Sequence, residues 1–242
     1  SEGPYVERSK AGHESMAQAL SGVAAKFIGP NNIPQRLPYT IADFTGGMLL
    51  AQGVLLALLA RERTGKGQCL ETTLLDGMMS MQAWDTTRLL NDPLADDDGA
   101  GGATVANGNP LDGAVFKTAD GFLMVTALFR PFDVLMQDLQ DALGTEGLVG
   151  DPRFATLEEA KKNRVELYAK LDPVFVQRSS EQWIARLEER DILVAPIRTT
   201  AEALEDPQLQ INGMLVEVEH EVLGKMRHVG TPLRLAGTPA QT

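Results

Sequence analysis

Cys69 is the single cysteine in 242 residues, which excludes an intrachain disulfide framework and a cysteine-built zinc site. Basic charge is also scarce: 22 Lys and Arg stand against 33 Asp and Glu, for a net charge of −11. This argues against nucleic acid as a partner, because phosphate backbones are held by clustered Lys and Arg. It does not exclude a phosphorylated cofactor bound by a few local basic residues. Long apolar runs are missing too. The stretch from Met48 to Ala60 is interrupted by Gln52 and closed by Arg61, short of the about 20 residues that span a bilayer. No N-terminal segment has the charged-then-apolar pattern of a signal peptide, and no internal repeat is found. These absences together lead to the expectation of a cytoplasmic protein with no membrane partner.

What is present is ordinary globular material. Apolar content of 43% and charged content of 23% suit a soluble chain long enough for one large domain or two smaller ones. Residues up to about Leu90 read as helix-rich. A short helix is expected over His13–Gly22, then a loop through Gly29-Pro-Asn-Asn-Ile-Pro34, and a long apolar helix from Phe44 to about Arg63 closed by Gly65 and Gly67. A strand over Cys69–Thr73 and a Met-rich helix from Leu75 to Leu90 follow. The methionines Met78, Met79 and Met81 read as core filler.

Asn91 to Gly113 is polar and glycine-rich, too long for a simple turn. Val115–Thr118 and Phe122–Ala127, split by Ala-Asp-Gly, then form a β-hairpin. Helical patterns cover Pro131–Leu143, Leu157–Leu171 and Ser180–Arg190, the last opened by a capping box of Ser179 and Gln182. A strand is expected over Ile192–Thr199, and a second hairpin over Leu215–Glu219 and Met226–Val229, where His220 and His228 read as structural.

The chemistry centres on Thr40-Ile-Ala-Asp43-Phe-Thr-Gly-Gly. Asp43 stands where a helix N-cap would, so its oxygens would accept first-turn N–H bonds and feel the helix dipole. In most proteins an aspartate so placed is only a cap. An ionised carboxylate at a helix mouth can also act as a nucleophile toward an activated acyl group. Gly46, Gly47 and Gly53 cost about 1 kcal/mol each inside a helix, which close approach of a backbone or a ligand would justify. The Asp96-Asp-Asp98 run reads as solvated charge, not a metal site, and no metal is expected.

The text around Asp43 carries more. Ala-Asp43-Phe-Thr-Gly-Gly is followed by Arg61-Glu-Arg-Thr-Gly-Lys-Gly-Gln68 and Glu71-Thr-Thr-Leu-Leu-Asp-Gly77. Upstream stand Gly3-Pro-Tyr5 and His13-Glu-Ser-Met-Ala-Gln-Ala-Leu-Ser-Gly22. Downstream come Thr118-Ala-Asp-Gly-Phe122, Asp151-Pro-Arg-Phe154, Val194-Ala-Pro196, Asp206-Pro-Gln208 and Gly230-Thr-Pro-Leu-Arg234. In this order the motifs resemble the class III CoA-transferases, a family that includes the 2-methylacyl-CoA racemases and carnitine CoA-transferase-like proteins.

The resemblance implies an α/β fold with a smaller α+β domain, and an interlocked homodimer. By it, residues 1–92 are part of a large domain bearing the Asp43 helix, 93–113 a glycine-rich linker, 114–199 the small domain, and 200–242 a segment returning to the large domain. The family's N-terminal nucleotide-binding-like half, which carries much of its coenzyme A site, has no counterpart here. A partner chain supplying that half is therefore an alternative to the homodimer.

The resemblance also assigns roles. Asp43 matches the catalytic aspartate, acylated by acyl-CoA and converted to an aspartyl-CoA thioester that a carboxylic acid acceptor resolves. Glu14 matches a glutamate that assists near that site. His13 matches the racemase histidine that pairs with the aspartate across the substrate α-carbon. The racemase pattern also has a glutamate where Ala127-Leu-Phe-Arg-Pro-Phe132 has none. Arg8 and Lys10 would meet coenzyme A phosphates, Leu74 would pack against the cofactor, and Gly101 and Gly102 belong to a loop that closes over the intermediate or merely links two domains. Three readings stay open: a CoA-transferase, a racemase or epimerase using His13 and Asp43, and a non-catalytic incomplete subunit.

Overall fold

The computed structural model describes residues 12–92, 109–126 and 130–239. They belong to two compact units that divide between Thr104 and Val105.

In the first unit, α1 (Glu14–Leu20) is started by His13, whose Nδ1 accepts the Ser15 N–H at 3.2 Å. Two 3-10 turns, Val23–Lys26 and Pro30–Asn32, lead to the long helix α2 (Ile41–Thr64). Gly65 ends α2 in the left-handed conformation that lacks a Cβ penalty, its N–H donating to Arg61 O at 2.8 Å. Helices α3 (Leu74–Met81) and α4 (Ala83–Asn91) follow, and the Thr73 hydroxyl caps α3 from the Asp76 N–H at 3.0 Å.

Two expectations are corrected in this unit. The Met-rich segment is two helices, broken at Gln82. Its side-chain amide donates to Ser21 O at 3.0 Å and Met78 O at 3.2 Å, which ties the break to the end of α1. Cys69–Thr73 forms no strand; instead Leu70 lies over α2, so that a Cβ at Gly53 would come within 2.7 Å of its methyls.

Two of the three glycines of α2, Gly46 and Gly53, have the close approaches expected of them. A Cβ at Gly46 would sit 3.0 Å from Leu74 Cδ2, and one at Gly77 would sit 3.5 Å from Gly46 N. The helices α2 and α3 therefore approach closely at Gly46 and Gly77, with room between them for about a methyl group. Gly47 faces open space. The core of this unit is small: Ala17, Val23, Ala42 and Met78, with Leu37, Ile41 and Leu74 packed against it.

Most of α2 lies outside that core, with Phe44, Leu55 and Leu56 about two-thirds exposed (68%, 67% and 66%). At 24 residues it is long and apolar enough to cross a membrane by length and composition alone, where the run Met48–Ala60 read from the sequence had fallen short. A helix that is apolar on all sides is normally enclosed, by protein or by lipid.

The second unit is built on a three-stranded antiparallel sheet, β1 (Ala114–Lys117), β2 (Phe122–Thr126) and β3 (Leu193–Pro196), with β2 central. Val115 pairs with Met124, and Met124 with Ala195. The inward residues Phe116, Leu123 and Val125 pack on α5 (Phe132–Leu143), α7 (Arg164–Phe175) and α8 (Ser180–Glu188) through Leu135, Leu139, Leu167, Leu171 and Trp183. Phe116 stacks on Phe175 at 4.2 Å between ring centroids, and Trp183 Nε1 donates to Phe175 O at 2.7 Å.

The capping box of Ser179 and Gln182 forms as expected. The helical pattern from Leu157 is interrupted at Asn163, giving a short α6 (Leu157–Lys162) before α7. Asn109 to Asp112 is packed, with Leu111 fully buried and Tyr168 OH donating to Pro110 O at 2.8 Å. Two short helices, α9 (Thr200–Leu204) and α10 (Pro207–Ile211), precede the hairpin β4 (Leu215–His220) and β5 (Gly224–Val229). His220 Nδ1 accepts the Val222 and Leu223 N–H groups at the hairpin turn, both at 3.2 Å. Residues 200–239 fall in the second unit.

Candidate functional site

The start of α2 shows how Asp43 is presented. An α-helix leaves its first N–H groups without internal partners. Asp43 was expected to cap them, but the helix begins earlier, at Ile41, and Asp43 is its third residue. The N-cap residue is Thr40, whose side chain makes no capping bond.

The cap comes from another element. Glu14, on α1, is only 4% exposed, and its Oε2 accepts the Asp43 N–H at 2.8 Å. Burial opposes a charge on Glu14, but hydrogen bonds from the Gln18 side chain and the Asp43, Ala42 and Ile41 backbone outweigh it and hold the carboxyl below its usual range. Glu14 is therefore an ionised cap on the positive end of α2, a placement the helix dipole also favours.

This division of labour frees Asp43. Its side chain is exposed, and among the described residues no hydrogen bond or ion pair engages its carboxylate. Its backbone is pinned by Glu14 while its oxygens have no partner among the described residues. Such a group can attack an incoming electrophile without first breaking an internal bond.

Gln18 completes the arrangement and was not singled out from the sequence. It is fully buried. Its Nε2 donates to Glu14 Oε1 at 2.6 Å, to Tyr39 O at 3.2 Å and to Leu37 O at 3.4 Å. Its Oε1 accepts the Leu37 N–H at 2.8 Å. The only hint in the sequence is the spacing, since Glu14 and Gln18 lie four apart on one helix face.

The other expected site residues fare differently. Glu14 and Asp43 are brought together through the backbone. His13 stands at the head of α1, next to Glu14, with Nδ1 occupied by the cap bond and Nε2 remaining. Leu74 is half-buried and packs on α2 above Gly46, so α2 is the partner the structure gives it. Arg8, Lys10, Gly101, Gly102 and the Asp96–Asp98 run lie outside the described residues. No group of three or more His, Cys, Asp or Glu among the described residues could hold a metal ion.

Comparison with known proteins places this geometry in context. The model of CoA-transferase family III matches residues 1–242. The succinyl-CoA–D-citramalate CoA-transferase of Chloroflexus aurantiacus is 28% identical over 238 residues, which is 98% of this chain and 57% of that protein. The acetyl-CoA:oxalate CoA-transferase of Acetobacter aceti is 26% identical over 239 residues, 93% of this chain and 55% of that protein. The crystal structure of Rv3272 from Mycobacterium tuberculosis superposes with a TM-score of 0.79 at 26% identity, covering 100% of this chain and 62% of that one. The chain thus spans a little over half the length of these curated relatives. The likeness confirms the mixed α/β architecture, helix-rich with small antiparallel sheets.

Proposed function

Since the chain belongs to CoA-transferase family III, we propose that it contributes the nucleophile of an acyl-CoA:carboxylate CoA-transferase, Asp43. The observation that carries this is the exposed carboxylate of Asp43, unengaged by any described residue, at a helix start that Glu14 already caps.

In this reading an Asp43 oxygen attacks the thioester carbonyl of acyl-CoA. The C–S bond breaks, leaving a mixed anhydride on Asp43 and a CoA thiolate. The thiolate attacks the Asp43 carbonyl and displaces the acyl group as its carboxylate, which leaves an aspartyl-CoA thioester. An acceptor carboxylate attacks that thioester to give a second mixed anhydride, and the thiolate then takes the acceptor acyl group. The last step restores the Asp43 carboxylate, so no metal or redox partner is needed to balance the cycle.

The structure adds one constraint to this reading. The Asp43 N–H is spent on Glu14 at 2.8 Å. It is not free to stabilise the oxyanion of a tetrahedral intermediate, so that role falls to other donors. Coenzyme A would also need a binding surface beyond the residues described. Because the chain spans little more than half of its relatives, we place that surface in the remaining part of the family fold, supplied by the same polypeptide or by a partner.

Intact-protein mass spectrometry after incubation with a panel of acyl-CoAs tests the proposal. A CoA-sized adduct, labile to hydroxylamine and absent in Asp43→Ala, is the expected result. Exchange of substrate α-protons with deuterated water, without an acceptor acid and without an adduct, would instead indicate the racemase chemistry of His13 and Asp43. Absence of both, with no CoA binding by calorimetry, would mean that this chain alone is not the enzyme.

A further inference from the structure

We propose that Gln18 is a positioning residue for the reaction, acting through Glu14 on the backbone of Asp43. The proposal rests on the reading of Asp43 as the nucleophile.

Gln18 connects two parts of the first unit. Its amide reaches Glu14 on the same helix, and also both polar backbone groups of Leu37 and the carbonyl of Tyr39. Leu37 and Tyr39 lie in the segment that delivers the chain to Thr40 and into α2. One buried side chain therefore fixes two approaches to the same helix start: the entering backbone, and the carboxylate that caps it.

The chemistry of the pair sets the direction in which Glu14 faces. With Oε1 held by the Gln18 NH2 at 2.6 Å, Oε2 is left to the Asp43 N–H at 2.8 Å. A residue without NH2 protons at position 18 cannot make this choice. Glutamate there would keep the acceptor for Leu37 N–H but set a second carboxylate against Glu14. Methionine would fill a similar volume and offer no donor at all. In both cases Glu14 loses its fixed orientation, and Asp43 with it. Misplacement of a reacting group by about 1 Å is enough to cost about 10²-fold in rate.

The test compares Gln18→Glu and Gln18→Met with the wild-type chain by two readouts. The first is hydrogen exchange of the peptide spanning residues 38–44, against peptides of the second unit as an internal reference. The second is the single-turnover rate of the Asp43 adduct at saturating acyl-CoA, beside the acyl-CoA concentration that gives half-saturation. We expect first-turn amide exchange to rise about tenfold or more, and the adduct rate to fall about 10²-fold with half-saturation changed less than about threefold. A merely structural role would weaken both kinetic parameters together, or neither. Folded variants with wild-type exchange and wild-type adduct rate would overturn the assignment of Gln18 alone. Wild-type chain that binds acyl-CoA yet forms no adduct on Asp43 would overturn the underlying reading, and the kinetic role of Gln18 with it; where the chain alone binds no acyl-CoA, the exchange readout decides. If Gln18→Met fails to fold, Gln18→Glu, which keeps the Leu37 bond, decides.

Discussion

Glu14→Gln puts the remote cap to its strictest test, because it removes a charge and almost nothing else. The carboxylate accepts from Gln18 on one oxygen and from the α2 backbone on the other. A carboxamide has only one oxygen, so its NH2 must face either the Gln18 NH2 or the first-turn N–H groups, donor against donor. A hydrogen bond to a buried charged group contributes about 1.5–3 kcal/mol, and loss of a helix cap costs about 0.5–2 kcal/mol. Since one of the two contacts survives in the variant, the expected destabilisation at pH 7 is about 2 kcal/mol.

The pH dependence follows from the sign of the shift. The folded-state carboxyl lies below its ordinary value of 4.5. Its contribution is therefore complete above that value and is lost as pH falls through the folded pKa. Urea unfolding of wild type and variant at pH 7, 5 and 3.5 should show the gap shrinking at the most acidic point. A gap below about 0.5 kcal/mol at pH 7, or one that stays constant to pH 3.5, would refute the assignment of Glu14 as an ionised cap.

The other expectations concern Asp43, the helix contact and the core of the second unit. Asp43→Asn should abolish adduct formation while shifting unfolding by no more than about 0.5 kcal/mol, because the exposed carboxylate supports nothing internal; thermal melts beside the mass assay check this. Gly77→Ala should be neutral or stabilising by up to about 1 kcal/mol, since its methyl would meet Thr45 Cγ2 at 3.4 Å, an ordinary contact. Gly77→Leu should instead cost about 1–3 kcal/mol by prising α2 from α3, measured by denaturant midpoint. Phe175→Ala, which removes a fully buried ring stacked on Phe116 and beside Trp183, should destabilise the second unit by about 3–5 kcal/mol, read from loss of near-UV signal.

Much of the fold was legible because its signals are local. The box of Ser179 and Gln182 starts α8, Gly65 stops α2, and alternation around Ala-Asp-Gly makes the first hairpin. Where the reading slipped, a contact distant in sequence had overridden the local pattern. The break at Gln82 is held by the Ser21 carbonyl, and Leu70 leaves the expected strand to lie over Gly53. The start of α2 was placed late for the same reason. Cap rules look for a side chain at the helix mouth, whereas the one that serves is far upstream on another helix.

At the candidate site, the sequence singled out Asp43, Glu14 and His13 as candidates, because motif order and residue type survive without coordinates. It could not say which carboxylate caps and which is free, since both suit either role. That was decided by tertiary packing. Burying Glu14 against the Asp43 N–H and the Gln18 amide makes its charge stable where it is, and the same contact leaves the Asp43 carboxylate exposed, with no partner among the described residues.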